Sequence, residues 1–162
     1  MFIRYNNLHA FSLIELLIVV AIIGALTTLV MTSLGNGRTT KELAVNAQAF
    51  ISVVREAQNN ALTGKQTIPG RSCAFRVSSF GAGYAVHSGF INSGFCTSFN
   101  LDGTYTLTNG VSFSSLPIIS FSVPHATLVI DKKVVLTKNS MFHTICIYVD
   151  GRISDSAGDI SC

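Results

Sequence analysis

The sequence has few charged residues, and it lacks the motifs that most catalytic sites require. Only 12% of its 162 residues are charged, and the formal net charge of +3 is too small to argue by itself for nucleic acid or anionic lipid as a partner. It contains no G-x-S-x-G, no H-E-x-x-H and no Walker loop, and three histidines, His87, His125 and His143, are isolated from carboxylates along the chain. These absences predict that the protein is not an enzyme and carries no cofactor.

The longest feature present is an apolar run near the N-terminus. Residues 11–34 contain a single charged residue, Glu15, and residues 16–34 are uncharged, which meets the ~20-residue length of a helix that crosses ~30 Å of hydrocarbon. An ionised acid at the centre of such a helix costs roughly 2.5–3.5 kcal/mol. The run therefore predicts a membrane helix whose acid needs a partner.

Residues 11–15, FSLIE, stand between a short polar leader that ends in a small residue and the apolar helix. This order resembles the signature of type IV pilins and type II secretion pseudopilins, although that family usually has Gly where this chain has Ala10. The resemblance implies that a prepilin peptidase cuts between Ala10 and Phe11 and methylates the new amino terminus of Phe11. It also implies that Glu15 meets the N-terminal amine of a neighbouring subunit, a pairing that offsets the cost of burying a carboxylate.

Two other interpretations of the N-terminus explain less. A secretory signal has an apolar core of 7–15 residues and an A-x-A-like cleavage site, whereas this run is longer and ends in TSLGN. A plain single-span anchor explains the length but not the position of Glu15 or the FSLIE order. The pilin interpretation divides the chain into a leader (1–10), a helix (11–64, of which 11–34 span the membrane or form the filament core) and an extracytoplasmic head (65–162).

All four cysteines lie in the predicted head, and none of their spacings is C-x-x-C, which argues against a zinc site. An even number of cysteines outside the cytoplasm predicts two disulfides. Three pairings are open, and we favour Cys73 with Cys96 and Cys146 with Cys162 because each closes a local loop.

Beyond the membrane segment, the sequence GNG at residues 35–37 predicts that the helix bends or loosens. Apolar residues then recur at spacings of four and three, which predicts a helix packed on one side. We call Leu43, Ala47, Phe50, Val54, Ala57 and Ala61 the apolar stripe. Lys41, Asn46, Gln48, Arg55 and Asn59 fall outside it, and Gly64 marks the end of the helix.

The remaining residues show strand-like runs, which predict an antiparallel β head packed on the helix, an α+β fold. Strands are expected at residues 73–78, 83–88, 104–108, 111–114, 118–123, 127–130, 134–137 and 144–149. Asn109–Gly110 predicts a hairpin between the third and fourth of these, and Asp150–Gly151 predicts a turn after the last. Residues 88–103 are interpreted as a loop, with Phe90, Phe95 and Phe99 either forming a contact surface or, as we favour, buried beneath a Cys73–Cys96 bridge.

Two weak ligand signals remain in the head. Asp150, Asp155 and Asp159 make an oxygen-rich tail that could bind calcium, but without EF-hand spacing we expect no metal. Lys132, Lys133 and Lys138 cluster near a predicted turn and give weak support for nucleic acid as a partner.

Residues 54–61 and 148–153 resemble the minor-pilin and minor-pseudopilin branch typified by GspH and FimT. The resulting hypothesis is a minor pilin or pseudopilin in the inner membrane, single-pass with its head outside the cytoplasm, which assembles into a type IV pilus, type II secretion or DNA-uptake filament. Its partners would be a prepilin peptidase, the inner-membrane assembly platform and other pilins. The alternative is a membrane-anchored binding module that recognises DNA or a secreted substrate.

Overall fold

The computed structural model describes residues 13–67 and 70–162, apart from the side chains of residues 28–36. The leader and the predicted cleavage position between Ala10 and Phe11 lie outside these residues. The chain divides into two compact units, Met1–Arg38 and Thr39–Cys162. One helix precedes the strands, which confirms the α+β prediction. The elements are α1 (Leu13–Thr63), β1 (Gln66–Thr67), β2 (Gly70–Phe80), β3 (Gly83–Asn92), β4 (Phe95–Thr106), β5 (Ser112–Ser115), β6 (Ile119–Ser122), β7 (Lys132–Lys138), β8 (Met141–Ile147) and β9 (Ile153–Ala157).

Helix α1 ends as its sequence predicts. Gly64 adopts a φ of 61°, which glycine reaches without the steric penalty of a Cβ atom. The Gly64 N–H donates to the carbonyl of Ala61 at 3.3 Å, and the Lys65 N–H donates to the carbonyl of Asn60 at 3.0 Å. The helix assignment continues through residues 35–37, so the sequence GNG does not interrupt α1, and the bend or loosening there stays a prediction.

The apolar stripe is confirmed, because each of its six side chains is no more than 1% exposed. Asn46, which we placed outside the stripe, is instead buried. Its side-chain oxygen accepts from the Thr108 N–H at 2.9 Å, and its amide nitrogen donates to the carbonyl of Glu42 at 2.8 Å. A buried amide is tolerable where its hydrogen bonds are made, and here the bond with Thr108 joins the helix to the chain after β4.

The strands form two antiparallel sheets. The first sheet has the order β1-β2-β3-β4, with β6 also paired to β2, and the second has the order β5-β7-β8-β9. Phe50 of the apolar stripe joins the layers: its ring lies 4.9 Å from that of Tyr84 in β3 and 5.5 Å from that of Phe113 in β5, both edge to face. Such edge-to-face pairs contribute beyond the burial of their apolar area. The main core therefore lies between the second half of α1 and the two sheets.

The predicted loop at residues 88–103 is wrong, because these residues continue β3 and form most of β4. The three phenylalanines divide between our two interpretations: Phe90 is buried, Phe99 is half-buried, and Phe95 is 72% exposed. Backbone pairing along the whole hairpin, from Gly83–Thr106 to Asn92–Phe95, outweighs the low strand propensity of the Gly, Ser and Asn residues.

Two further strand predictions also fail. Residues 127–130 form no strand, and Val129 is 93% exposed. Asn109 and Gly110 make the expected tight turn, with φ of 57° and 70°. That turn is not a hairpin, because β4 pairs with β3 and β5 pairs with β7, so the chain passes there from the first sheet to the second.

The turn at Asp150–Gly151 is confirmed, and it joins β8 to a strand that we did not predict. The Gly151 N–H donates to the carbonyl of Tyr148 at 2.9 Å, and the Tyr148 N–H donates to that of Arg152 at the same distance. Strand β9 then pairs with β8 from Ile147–Ile153 onward. Its sequence, ISDSA, has little strand propensity, so pairing with β8 determines its conformation.

Candidate assembly and binding sites

The first half of α1 has large apolar side chains on all of its sides. Ten of them between residues 13 and 26 are 48–79% exposed: Leu13, Ile14, Leu16, Leu17, Ile18, Val19, Val20, Ile22, Ile23 and Leu26. A helix that is apolar all round is typical of segments buried in a large assembly or in a membrane, because no side of it favours water. The described residues of the chain leave this surface exposed.

Within the part of the chain that the structure describes, no helix is both long and apolar enough to cross a membrane. The predicted span, residues 11–34, lies partly outside that part and stays a prediction. Glu15 lies near the described start of α1 with an exposed side chain. It is the only acid among the apolar residues at positions 13–26.

Both predicted disulfides are present, Cys73–Cys96 and Cys146–Cys162. The first joins β2 to β4 across the intervening strand β3, and the second joins β8 to the last residue of the sequence. No described cysteine is free. The disulfides hold the tip of the first sheet and the C-terminal tail in place.

Each of the three carboxylates considered as calcium ligands interacts with a different basic side chain. Asp150 accepts from Arg152 Nε at 2.6 Å, and this hydrogen bond lowers the pKa of the Asp150 carboxyl. Asp159 pairs with Lys133 at 2.6 Å, and Asp155 pairs with His143 at 2.9 Å. No group of three metal-ligating His, Cys, Asp or Glu side chains occurs within residues 13–67 and 70–162.

The sequence suggested that His143 is isolated from carboxylates, but in the fold it contacts Asp155. Its ring is buried, its Nε2 lies 2.9 Å from Asp155 Oδ2, and Gln48 of α1 donates to both Asp155 oxygens at 3.2 and 3.3 Å. Sequence reasoning missed this group because Asp155 is 12 residues away and lies in a strand that was not predicted. None of the described hydroxyl or thiol groups is hydrogen-bonded to His143, so the pair lacks the nucleophile of a hydrolytic site.

Two of the three clustered lysines have acidic partners. Lys138 donates to Glu42 of α1 and also to the carbonyl of Asn109, and Lys133 pairs with Asp159. Lys132 alone has no acidic partner among the described residues. These ion pairs reduce the local positive potential on which the nucleic-acid hypothesis depended.

A cleft of about 360 Å³ lies between the end of α1 and β4. Its charged lining residues are Glu56, Lys65 and Asp102. Asp102 also accepts a hydrogen bond from Ser88 at 2.8 Å, and Ser88 is fully buried. The carboxylate of Asp102 is therefore fixed on the side of the first sheet that faces the helix.

Comparison with known proteins assigns the N-terminal segment. No curated protein and no solved structure matches the chain. Residues 5–31 match the family model described as the prokaryotic N-terminal methylation motif, and the match includes Ala10, Phe11 and Glu15. It does not reach residues 54–61 or 148–153, so the resemblance to the minor branch stays a prediction. Residues 5–31 of the chain therefore carry the prokaryotic N-terminal methylation motif, the signal of type IV pilins.

Proposed function

We propose that this protein is a minor pilin or pseudopilin subunit that is cut by a prepilin peptidase and assembles through α1 into a filament. The filament would belong to a type IV pilus, a type II secretion system or a DNA-uptake machine. The observation that carries the proposal is the methylation motif at residues 5–31, which overlaps a helix whose apolar side chains are exposed on every side. A structural subunit needs no catalytic centre, in agreement with the absence of catalytic motifs from the sequence.

The exposed part of α1 requires two successive coverings. Removing a large aliphatic side chain from water contributes roughly 1.5–3 kcal/mol, so ten of them strongly favour any apolar environment. Before assembly this environment is the inner membrane, which the helix crosses once. After assembly it is the corresponding helices of neighbouring subunits. The head then lies outside the cytoplasm, where the Cys73–Cys96 and Cys146–Cys162 disulfides are stable.

Glu15 gives the assembly its specificity in this proposal. A carboxylate in an apolar environment is costly unless a cation pairs with it. The N-methylated amine of Phe11 on a neighbouring subunit supplies that cation only when subunits pack side by side. The partners of the chain are therefore the prepilin peptidase, the inner-membrane assembly platform and other pilins.

Mass analysis of the native N-terminus tests the proposal. Membranes of the native host should contain a chain that begins at N-methylated Phe11 and lacks the ten residues before it. The peptidase must cut where the polar leader meets the apolar helix, which in this sequence is after Ala10. An intact Met1, or a cut after Asn36, would contradict the assignment.

A further inference from the structure

The face of the first sheet that points away from α1 carries two nitrogen-rich side chains directly opposite each other. Arg76 of β2 and His87 of β3 are paired in the antiparallel register, and Phe75 and Val77 on either side of Arg76 belong to the core. Directly paired residues on neighbouring strands have Cβ atoms about 4.5–5.5 Å apart. Ser120 of β6 pairs with Arg76 on its other side. Three hydrogen-bonding side chains therefore form one row across three strands.

The Arg76 side chain is held in place by an aromatic platform. Its Cζ atom lies 3.6 Å from the centroid of the Phe99 ring in β4. That ring in turn covers Gly89 of β3, where an added Cβ atom would lie 2.7 Å from Phe99 Cε1 and 3.1 Å from Cys96 Sγ. Gly89 thus makes room for the ring beside the Cys73–Cys96 disulfide. A stacked guanidinium loses less freedom when it binds a ligand than a mobile one does.

Neither side chain has its hydrogen bonds satisfied within the described part of the protein. Arg76 Nε and His87 Nδ1 are buried and have no hydrogen-bond partner, and Arg76 forms no ion pair among the described residues. Their other nitrogens are also unpaired but are not buried, so they remain open to solvent. Each side chain thus has a buried nitrogen without a partner, and its remaining nitrogens are available to a ligand.

The chemistry of this row favours an acceptor of negative charge. The guanidinium of Arg76 has only N–H donors, and a neutral His87 imidazole carries one N–H donor in either tautomer. The nearby acid, Asp102, is bonded to Ser88 and lines the cleft beside α1, so it does not neutralise this face.

We propose that Arg76 and His87, supported by Phe99, form a binding site for an oxyanion on the outer face of the first sheet. A planar carboxylate or a tetrahedral phosphate would accept from the guanidinium and from His87 Nε2–H, and Ser120 could add a hydroxyl. Charge-assisted hydrogen bonds of this type are the strong ones in proteins. The site does not depend on the pilin assignment, since every residue in it lies in the head.

The test is a titration of the ¹⁵N-labelled full chain in neutral-detergent micelles, with inorganic phosphate in one arm and acetate in the other. The side-chain nitrogen signals of Arg76 and His87 should shift together and saturate in at least one arm, which identifies the preferred oxyanion. Arg76→Gln should weaken binding about 10- to 100-fold, the loss expected for a hydrogen bond to a charged group. Arg71→Gln, a change at an exposed arginine of the same strand, should leave binding unchanged.

Three results would overturn the proposal. Signals that do not move with either anion would mean that the buried nitrogens bind water only. Equal losses in Arg76→Gln and Arg71→Gln would mean a diffuse charge effect. Arg76→Lys keeps the charge but not the planar guanidinium, so it should bind the oxyanion more weakly than wild type and more strongly than Arg76→Gln. Undiminished binding in Arg76→Lys and Arg76→Gln would also contradict the site. Backbone signals of each variant report whether the head remains folded.

Discussion

Two stretches of helix α1 differ in how far their apolar side chains are buried. The large apolar side chains of residues 13–26 are 48–79% exposed, whereas the apolar stripe from Leu43 to Ala61 is at most 1% exposed. The second stretch is buried by the two sheets of the head, while the first stretch has no comparable cover among the described residues. The helix thus combines a part that packs into the head with a part whose apolar side chains are exposed, and we propose that the exposed part is covered by lipid or by other subunits.

The largest effect on the stability of the head is expected from a substitution at Phe50. Phe50→Ala should destabilise the head by about 3–5 kcal/mol, because it removes a fully buried ring that joins both sheets and leaves a cavity. Ile18→Ala is the matched control in the exposed stretch, and it should change the unfolding of the head by less than about 0.5 kcal/mol. Denaturant unfolding of the full chain in micelles, followed by the aromatic signals of the head, measures both. Equal effects would show that the two stretches are not energetically distinct.

Removing the disulfides tests the stability of the head next. The paired cysteines lie 23 and 16 residues apart in the sequence. In the loop-entropy model, a disulfide that closes a loop of this size stabilises the folded state by roughly 3 kcal/mol. Reduction should lower the melting temperature of the head, and the oxidised chain should weigh four hydrogen atoms less than the reduced chain. The double replacements Cys73→Ser with Cys96→Ser and Cys146→Ser with Cys162→Ser separate the two contributions. Four free thiols in the native protein would contradict the proposed extracytoplasmic location of the head.

A smaller effect is expected where α1 is tied to the second sheet by charge. Lys138 and Glu42 form an ion pair with side chains only 18% and 14% exposed. Glu42→Gln should destabilise the head by about 1–3 kcal/mol, because it leaves the Lys138 ammonium poorly paired in a partly buried place. A double-mutant cycle with Lys138→Met measures the coupling of the two side chains. An additive cycle would show that the pair does not help to hold the helix.

The smallest effect is expected at Asp150 and Arg152, an exposed pair at the turn before β9. The hydrogen bond from Arg152 lowers the pKa of the Asp150 carboxyl, so the pair stabilises the head above the ordinary pKa of an aspartate. This contribution should disappear as the pH falls through the lowered pKa. Comparing wild type with Asp150→Asn by thermal unfolding from neutral to acidic pH should give a small difference that vanishes in acid. A difference that grows in acid would contradict the assigned cause.

Local signals predicted the helical part of the fold better than the sheets. The apolar stripe and the Gly64 cap depend on residues within a few turns of each other, and both are confirmed. Strand β9 has little strand propensity and forms because β8 pairs with it, and the first half of β4 lies in a stretch rich in Gly, Ser and Asn where β3 pairs with it. The Asn109–Gly110 turn has the backbone of a hairpin turn, yet long-range pairing assigns its flanking strands to different sheets. Local sequence does not determine which strands pair.

The candidate sites also differ in whether local sequence could reveal them. The N-terminal motif is contiguous, so the sequence alone was enough to recognise it, and the two disulfides followed from cysteine number and spacing. The contacts of His143 with Asp155 and of Lys138 with Glu42 join residues 12 and 96 positions apart. No short-range pattern marks such pairs, because the fold alone brings them together.

The most direct test of the account is the replacement Glu15→Val, followed in one strain by three measurements. Leader removal should continue, since the cut lies upstream of the change. Membrane content should stay equal or rise, because a costly carboxylate leaves the lipid. Incorporation into sheared filaments should fail or fall sharply, because the amine of Phe11 loses its partner, and an unmatched charge of a buried pair costs about 3–5 kcal/mol. Incorporation as efficient as that of wild type would show that Glu15 is not the assembly contact, and it would contradict the proposal that the exposed half of α1 assembles through this pairing.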